Sequence, residues 1–501
     1  MSRVRFMRCV QGLLAMLALV VVVSGCGGGG GGGAGGDAAE VAPAGTAIYV
    51  SGDTDFEGDQ WQAAADLVRK FPDGEKAVAD LLAEFESQEG IDFEEDIKPA
   101  VGAEVALAIL EIPTDGSEPP IVALTQPDDR QKLEALLEKG DEPTVSEEVE
   151  GWTVISDLQS SIDRFKEMRG DGVLADNDGF QDAMADLSSD SLVSVYISGD
   201  ALDEAARSNP EFSQAGFDAF FPGGKIPSIG AILRAEDDGA RLDGQALFAG
   251  DVTETGLVSG NFEAKLPEEV PGHVLAYLSF NDLESQFSAF RDSISEVEPD
   301  FGRQLGQAEA FLGVSLEEDI APLFAGEGAV YVRPGAPIPE ITLLTTVDDE
   351  QKALGTLDDL VVGLRRFVPV QEPTRVQIAG VEARQVPLEP PFSLYYAAFD
   401  GRLVVTTTRQ GIGDLRGDGE RFADDEAFNA AMETAGLPDD TTGWGYVNLE
   451  ESVPLLLDYL AAGDEPVPPE VRTNTEPLQS LVFWGTAEDR TATFSLFLGV
   501  K

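Results

Sequence analysis

The chain has 501 residues, of which 43% are hydrophobic, which is enough for one large or two medium domains with packed cores. Its formal net charge of −59 argues strongly against nucleic acid as a partner and against a body that lies flat on an anionic membrane. The only cysteines are Cys9 and Cys26, so the chain beyond residue 26 has no disulfide, no cysteine metal site and no thiol nucleophile. We interpret the acidity as that of a solvated surface, and a salt-rich habitat and cation binding are the alternatives.

The first 25 residues have the pattern of a secretory signal peptide. Arg3, Arg5 and Arg8 form a basic start, and an unbroken apolar run follows from Leu13 to Val23. This run is too short for a membrane-spanning helix, which needs about 20 residues. The pattern therefore predicts export of the protein and removal of residues 1–25.

A lipobox follows the apolar run. Val23, Ser24 and Gly25 precede Cys26, so small residues stand where the signal peptidase needs access and a thiol stands where lipid is attached. The sequence thus predicts a mature N-terminus at Cys26, held to the cell membrane by its lipid on the extracytoplasmic side. The alternative is an ordinary cleaved signal with a cysteine there by chance. Loss of three arginines and no acid would take the charge from −59 to −62.

A glycine-rich segment follows the lipobox. Residues 27–36 are glycine except for Ala34, and such a segment has no apolar surface to bury. We therefore predict a flexible tether over residues 26–41. Ten residues of this kind have a root-mean-square reach of roughly 15–20 Å.

The remainder of the chain contains an internal duplication. Four segments of the first half recur in the same order in the second half, which chance does not explain. The pairs are 45–51 with 272–279, 90–99 with 313–322, 125–132 with 345–352, and 180–184 with 428–432.

Each half is predicted to alternate strands and helices. In the first half the hydrophobic pattern predicts strands at 47–51, 101–110 and 121–125, and helices at 61–71, around 78–85 and at 128–139. Asp128 and its repeat equivalent Asp348 stand where helix N-caps are expected. In the second half Asn281, with Glu284 three residues on, predicts another N-cap.

Hairpins are predicted from the turn residues. An extra hairpin of the second half is predicted from strands 394–399 and 403–407 around Asp400-Gly401, a type I′ turn signal. Each half then ends in a hairpin, around 236–239 and around 488–490. The predicted fold class is α+β, with two homologous lobes at 42–250 and 263–501, each an antiparallel sheet with helices packed on one face.

The motifs together resemble those of a known family. The opening segment Pro43–Ser51, the lipoprotein signal and the repeated Gly-x-x-x-Glu-Glu-Asp-Ile-x-Pro segment resemble an uncharacterised family of actinobacterial-type secreted lipoproteins, classed as a domain of unknown function. The resemblance covers nearly all of residues 42–501. It implies an exported, envelope-associated protein, and it supplies no catalytic residues.

Histidine and cysteine chemistry is poorly supported by the sequence. His273 is the only histidine, and no Gly-x-Ser-x-Gly motif accompanies it, so a surface position at a strand end is the favoured interpretation. A zinc site needs several histidine or cysteine ligands and is not predicted. No phosphate-binding loop of the Gly-x-x-x-x-Gly-Lys-Ser/Thr type occurs either.

Carboxylates are abundant, so their pairing alone means little. The acids of segment 94–96 recur in segment 317–319, where we interpret them as solvated helix starts. Asp53, Asp55 and Glu57 have the spacing of positions 1, 3 and 5 of a calcium loop, with Gly58 at position 6. Ala64 stands at position 12, where a glutamate is required, so the calcium candidate is weak and an acidic turn before a helix is favoured.

The sequence favours a non-catalytic protein that binds a partner or ligand in the groove between the lobes, or that serves a structural role. The membrane, through the lipid, and an envelope protein or small ligand are the expected partners, and no cofactor is predicted. The alternative function is an extracellular carboxylate-dependent hydrolase assisted by calcium.

Overall fold

The computed structural model describes residues 35–501 with short gaps, which are 115, 140–143, 209–220, 222–224, 254–255, 257, 298–299, 337, 369, 391 and 462–466. The predicted lipidation and lipobox residues Cys26, Val23, Ser24 and Gly25 lie outside the described residues.

Twenty strands are assigned in the described chain. In order they are β1 Ile48–Asp53, β2 Glu104–Ile109, β3 Ile121–Thr125, β4 Val145–Val149, β5 Trp152–Ser156, β6 Val193–Ile197, β7 Ser228–Glu236, β8 Gly239–Leu247, β9 Phe262–Glu263, β10 Ala276–Asn281, β11 Glu327–Arg333, β12 Glu340–Thr346, β13 Thr374–Ile378, β14 Val381–Pro387, β15 Ser393–Phe399, β16 Arg402–Thr406, β17 Asp440–Thr441, β18 Gly443–Asn448, β19 Leu478–Glu488 and β20 Thr491–Val500.

The described α-helices follow in the same manner. They are α1 Asp59–Lys70, α2 Gly74–Glu89, α3 Lys98–Val101, α4 Arg130–Lys139, α5 Gln159–Arg169, α6 Asp178–Met184, α7 Gly199–Ser208, α8 Leu283–Val297, α9 Phe301–Leu312, α10 Glu350–Leu364, α11 Arg409–Leu415, α12 Glu426–Ala435, α13 Leu449–Ala461 and α14 Pro469–Thr475. Within the described residues, no helix is long and apolar enough to cross a membrane.

Eighteen of these strands form one antiparallel sheet, and β9 pairs with β17 separately. The pairings place the strands of the large sheet in the spatial order 4-5-3-2-1-6-7-8-20-19-18-10-11-12-16-15-14-13. The first eight strands come from the first repeat and the last ten from the second. The fold class predicted from the sequence, α+β with two homologous lobes, is confirmed.

The two lobes meet where β8 pairs with β20, and we call this junction the seam. β8 and β20 are the last strands of the two repeats, and their register runs from Gly239 opposite Gly499 to Leu247 opposite Thr491. The lobes are therefore joined by a continuous ladder of backbone hydrogen bonds, in addition to the linker between the repeats.

The sheet has two faces that differ in their side chains. The tyrosine face carries the buried residues Tyr49, Tyr196, Tyr277, Tyr331 and Tyr446. Tyr49 pairs with Tyr196 in the first lobe as Tyr277 pairs with Tyr446 in the second, and Tyr331 is the partner of Tyr277 on its other side. The alternate residues of the same strands point to the other side of the sheet, which we call the opposite face.

Helices cover both faces of the sheet, whereas the sequence predicted helices on one face only. In the first lobe α5 packs Phe165 into the cluster of the tyrosine face, and α1 packs Trp61 into the cluster of the opposite face. Successive side chains of a strand point to opposite faces, and both faces of β2 are apolar. Ala106 packs in the cluster of the tyrosine face, and Val105 packs in the cluster of the opposite face.

The repeated Gly-x-x-x-Glu-Glu-Asp-Ile-x-Pro segment has the same structure in both lobes. It forms a short π-helical turn at Phe93–Ile97 and again at Leu316–Ile320. Asp92 accepts a hydrogen bond from the Glu95 N–H, while the Asp96 carboxylate accepts one from the Asp92 N–H. In the second lobe Ser315, Glu318 and Asp319 make the same reciprocal pair of bonds. The repetition is explained by helix capping.

Three N-caps differ by one residue from the predictions. Asp129 and Asp349 accept the N–H bonds that start α4 and α10, rather than the predicted Asp128 and Asp348. The reason is that a cap must lie two or three residues before the N–H groups it accepts.

The start of α8 shows the same shift of one residue. Asp282, rather than the predicted Asn281, accepts the Ser285 N–H at 3.2 Å. Asn281 is still the last residue of β10 and pairs with Glu327 there.

The predicted extra hairpin exists but is the repeat equivalent of β4–β5. Its strand β16 lies beside β12, as β5 lies beside β3. The added hairpin of the second lobe is instead β13–β14, which sits at the outer edge of the sheet. The Asp400-Gly401 turn has φ of 52° and 71°, as a type I′ turn requires.

Residues 35–41, the part of the predicted tether that the structure describes, pack on the first lobe. Ala38 and Val41 are buried in the cluster of the tyrosine face. A Cβ on Gly35 would lie 2.3 Å from the Phe180 ring, and a Cβ on Gly36, whose φ is +72°, would lie 2.1 Å from a Glu104 carboxylate oxygen. Glycine is therefore needed here for close approach, beyond any role in flexibility.

We predict that the two faces of β20 differ sharply in their effect on stability. Phe497 is fully buried on the tyrosine face, whereas Phe494, on the same strand, is 41% exposed on the opposite face. Phe497→Ala should lower the free energy of unfolding by about 3–5 kcal/mol, because it removes a buried aromatic ring and leaves a cavity. Phe494→Ala is the matched control and should cost less than half as much. Urea unfolding followed by tryptophan fluorescence measures both, and equal losses would contradict the assignment of the two faces.

Candidate inter-lobe site

A polar cavity of about 470 Å³ lies at the seam. Asp243 of β8 and Ser495 of β20, which are register partners, contribute to its floor on the same face as Phe497. Both repeats thus supply the floor of the cavity. The lining residues are Ala185, Asp186, Leu187, Ser188, Arg234, Asp243, Gly244, Gln245, Thr493, Phe494 and Ser495.

Two residues of the sheet, Gly230 and Gln245, position the wall formed by residues 185–188. A Cβ on Gly230 of β7 would lie 2.0 Å from the Ala183 carbonyl oxygen, so glycine allows α6 to end close to the sheet. Gln245, only 2% exposed, donates from Nε2 to the carbonyl oxygens of Asp182 and Ala183 at 3.0 and 2.8 Å. These bonds satisfy carbonyls that the helix end leaves free.

Four charged side chains beside the cavity form a quartet, which consists of Arg234, Glu236, Arg241 and Asp243. Arg234 Nη2 lies 3.2 Å from Glu236 Oε1 and 3.3 Å from Asp243 Oδ2. Arg241 Nε lies 2.6 Å from the same Glu236 oxygen. Two cations and two anions are therefore in contact, and the quartet has no net charge.

Arg241 also connects the lobes directly. It is 8% exposed, and its Nη1 donates to the carbonyl oxygen of Ala435 at the end of α12, at 2.8 Å. Its guanidinium carbon lies 4.8 Å from the Phe497 ring centroid. The first lobe thus caps a helix of the second lobe and stacks on its strand, so the quartet is fixed on two sides.

The cavity offers hydrogen bonds rather than reactive groups. Ser495 Oγ donates to Asp243 Oδ1 at 2.7 Å, and Arg234 Nη2 holds the other oxygen of that carboxylate. Arg234 Nε is buried and has no hydrogen-bond partner in the structure. Such a donor costs free energy, and because it has almost no accessible surface it is not reached from the cavity.

The sequence-predicted calcium candidate lies away from this cavity. Asp53 Oδ1 accepts the Asp55 N–H at 2.8 Å, and Asp55 Oδ1 accepts the Glu57 N–H at 3.2 Å, which makes a turn that leads into α1. Burial raises the pKa of Asp53 to about 6. Across the residues with described positions, no group of three histidine, cysteine, aspartate or glutamate side chains could hold a metal ion. The calcium hypothesis therefore gains no support.

The other predicted polar residues have structural surroundings. Glu94 and Glu95 are exposed on the π-helical turn of the first lobe. The hydrogen bond from Lys139 lowers the pKa of the Asp96 carboxyl on the same turn. His273 is exposed, with a positive φ of 58°, just before β10.

Two partly buried carboxylates with raised pKa values, Glu104 and Glu327, support backbone structure. Glu104 accepts the N–H groups of Asp37 and Ala38 at the start of a short 3₁₀ helix, and burial raises its pKa to about 7. Its repeat equivalent Glu327 accepts the N–H groups of Lys265 and Leu266 in the same manner, and burial raises its pKa too. Because the contact recurs in both lobes, its role is structural.

Sequence reasoning missed Arg234, Asp243 and Ser495. A usable signal was present, because charges at every second residue on both sides of the predicted hairpin at 236–239 place Arg234, Glu236, Arg241 and Asp243 on one face. A charged stripe on a strand otherwise rich in apolar residues indicates pairing with a polar surface. Ser495 had no such signal, since only the seam pairing brings it near.

Comparison with known proteins gives a family and no activity. The chain matches the family described as "Protein of unknown function (DUF3352)" over residues 10–160 and 154–500. No curated protein matches it. A solved structure entitled "Structure of crystal form IV of TP0453" is 12% identical to this chain, with a TM-score of 0.23. The match covers 45% of this chain and 76% of the chain in that structure.

We predict a specific pH dependence of stability from Glu104. Its pKa is raised from 4.5 to about 7 in the folded protein, so its stabilising contribution is full below pH 4.5 and is lost as the pH rises through about 7. Glu104→Gln keeps an acceptor oxygen but cannot ionise. The stability of the wild type relative to this variant should therefore fall by about 2–3 kcal/mol between pH 4.5 and 7.5.

Chemical unfolding of both proteins at several pH values measures this difference. Glu94→Gln, which changes an exposed acid, is the matched control and should leave the profile of the wild type unchanged. A Glu104→Gln profile parallel to that of the wild type would contradict the assignment.

Proposed function

This chain belongs to the family described as "Protein of unknown function (DUF3352)", and we propose that it is a lipid-anchored extracytoplasmic protein that binds a small polar ligand in the inter-lobe cavity. The proposal has two parts, the anchor and the cavity, and separate observations support them.

The anchor is supported by the sequence. The basic start, the short apolar run and the small residues before Cys26 together match what export and lipid attachment need. Gly35 and Gly36 then lead into the buried segment around Ala38, so the predicted tether would begin at the surface of the first lobe. A body with a charge near −62 would be repelled by anionic lipid while the anchor holds it nearby.

The observation that carries the binding function is that both repeats build the cavity. Its floor joins Asp243 of the first repeat to Ser495 of the second, and its volume of about 470 Å³ is within the usual range for ligand pockets. Arg234 and Asp243 supply a guanidinium and a carboxylate to its lining. A cleft at the junction of two lobes is a common place for a ligand.

No specific observation favours the hydrolase alternative. A carboxylate enzyme needs two acids free to act on a substrate in one cleft. Asp53 and Glu104 have raised pKa values and are register partners on β1 and β2, yet each accepts hydrogen bonds from backbone N–H groups. We therefore propose a binding role without catalysis.

The anchor is tested by Cys26→Ser. We expect the wild type to fractionate with membranes and to have a mature N-terminus at Cys26 that carries acyl chains, as shown by mass spectrometry. Cys26→Ser should lose the acyl mass and leave the membrane fraction, because two or more chains are needed for stable attachment. Cys9→Ser, within the signal, is the matched control and should behave as the wild type. A membrane-bound Cys26→Ser protein without acyl chains would refute the lipid anchor.

The cavity is tested by filling it. Native mass spectrometry of the protein released gently from its membranes should show a small-molecule adduct, and Ser495→Trp should abolish it by occupying the floor. Ser189→Trp adds the same side chain at an exposed residue next to the lining and should retain the adduct. Circular dichroism checks that both variants are folded. An adduct equally abundant in both variants would exclude the cavity as the binding site.

A further inference from the structure

We propose that the inter-lobe cavity binds an uncharged, hydroxyl-rich ligand, namely a sugar unit of one or two rings. This inference rests on the proposed function, in which the cavity is a binding site, and it adds the chemical class of the ligand. Charge, hydrogen bonding and size each support it.

The charges of the cavity disfavour ionic ligands. Arg234 is already in contact with Glu236 and Asp243, so its positive charge is compensated before any ligand arrives. Asp186 is exposed on the wall, and the chain as a whole has a charge of −59, so an anion would be repelled. A cation would have to compete with two arginines for the carboxylates of the quartet. A neutral ligand meets neither obstacle.

The hydrogen-bonding groups suit hydroxyl groups in particular. Arg234 and Asp243 both line the cavity, so a guanidinium donor lies beside an acceptor-only carboxylate. A hydroxyl group can accept from the first and donate to the second at the same time, whereas a carbonyl only accepts and an ammonium only donates. Ser495 orients the carboxylate from the other side, so the arrangement exists before binding.

The size and the wall of the cavity agree with this class. A cavity volume of about 470 Å³ is near the lower end of the range for small-molecule pockets, so it suits a compact ligand. The wall segment 185–188 contributes Ala185 and Leu187, apolar groups against which the C–H face of a ring can pack.

The test is titration calorimetry of the full mature chain with a defined set of neutral sugars, which are glucose, galactose, mannose, N-acetylglucosamine and their β-1,4-linked disaccharides. We expect at least one to bind. Arg234→Lys should weaken that binding at least tenfold, because lysine keeps the positive charge beside Glu236 and Asp243 but lacks the planar, multi-donor guanidinium. Arg303→Lys, at an exposed arginine of α9, is the matched control and should bind as the wild type.

A second variant keeps the test decisive if Arg234→Lys does not fold. Ser495→Ala removes only the hydroxyl that orients Asp243, and it should weaken the same sugar several-fold without changing the fold. Inorganic phosphate serves as the anionic probe, and it should not compete with the sugar.

The outcomes separate the inference from the proposed function. If no sugar of the set binds, or if phosphate binds more tightly than every sugar, the ligand class is refuted, while an adduct lost in Ser495→Trp would still support the cavity as a binding site. If a sugar binds but Arg234→Lys, Ser495→Ala and Ser495→Trp leave its affinity unchanged, the sugar binds elsewhere and the inference fails. If the adduct also survives Ser495→Trp, the proposed function fails with it.

Discussion

The pairing of β8 with β20 is the constraint on which the rest of the structure depends. Each repeat ends in a long hairpin, and in an isolated lobe its last strand would be an unpaired edge of nine or ten residues. Such an edge exposes backbone donors and acceptors that invite pairing with other chains. Here the two edges satisfy each other, and the edges that remain are β4 and β13, both five residues long and partly charged. Short, charged edges are how sheet proteins avoid aggregation.

The seam then explains the charged quartet. A buried ion pair stabilises little by itself, because desolvation offsets much of the attraction. The quartet gains a second role from its position, since Arg241 caps α12 of the other lobe through Ala435 while Glu236 neutralises it. Hydrogen bonds with strict geometry favour one register of β8 against β20. The cavity lies beside the same contacts, and the hydrogen-bonded pair of Asp243 and Ser495 from the two lobes forms part of its floor.

Much of this architecture could be predicted from the sequence, and the remainder could not for physical reasons. Duplicated segments indicated two lobes, and turn residues such as Asp400-Gly401 located hairpins, because both signals are local. Helix caps were displaced by one residue at Asp129 and Asp349, since adjacent aspartates compete for the same role and only the path of the backbone decides. The cavity was predicted only as a groove between lobes. Its residue Ser495 could not be identified, because it meets Asp243 through a pairing between residues 252 positions apart.

The contacts of Gly35 and Gly36 have a mechanical consequence. These glycines lie against the Phe180 ring and the Glu104 carboxylate, and the following segment is buried. A pull on the N-terminus would be applied at this point of the first lobe and transmitted through the hydrogen bonds from Asp37 and Ala38 to β2, a strand inside the sheet. Load applied to an interior strand is shared by neighbours on both sides, whereas load on an edge strand peels it away. A chain pulled at its N-terminus would thus resist traction through the centre of its first lobe.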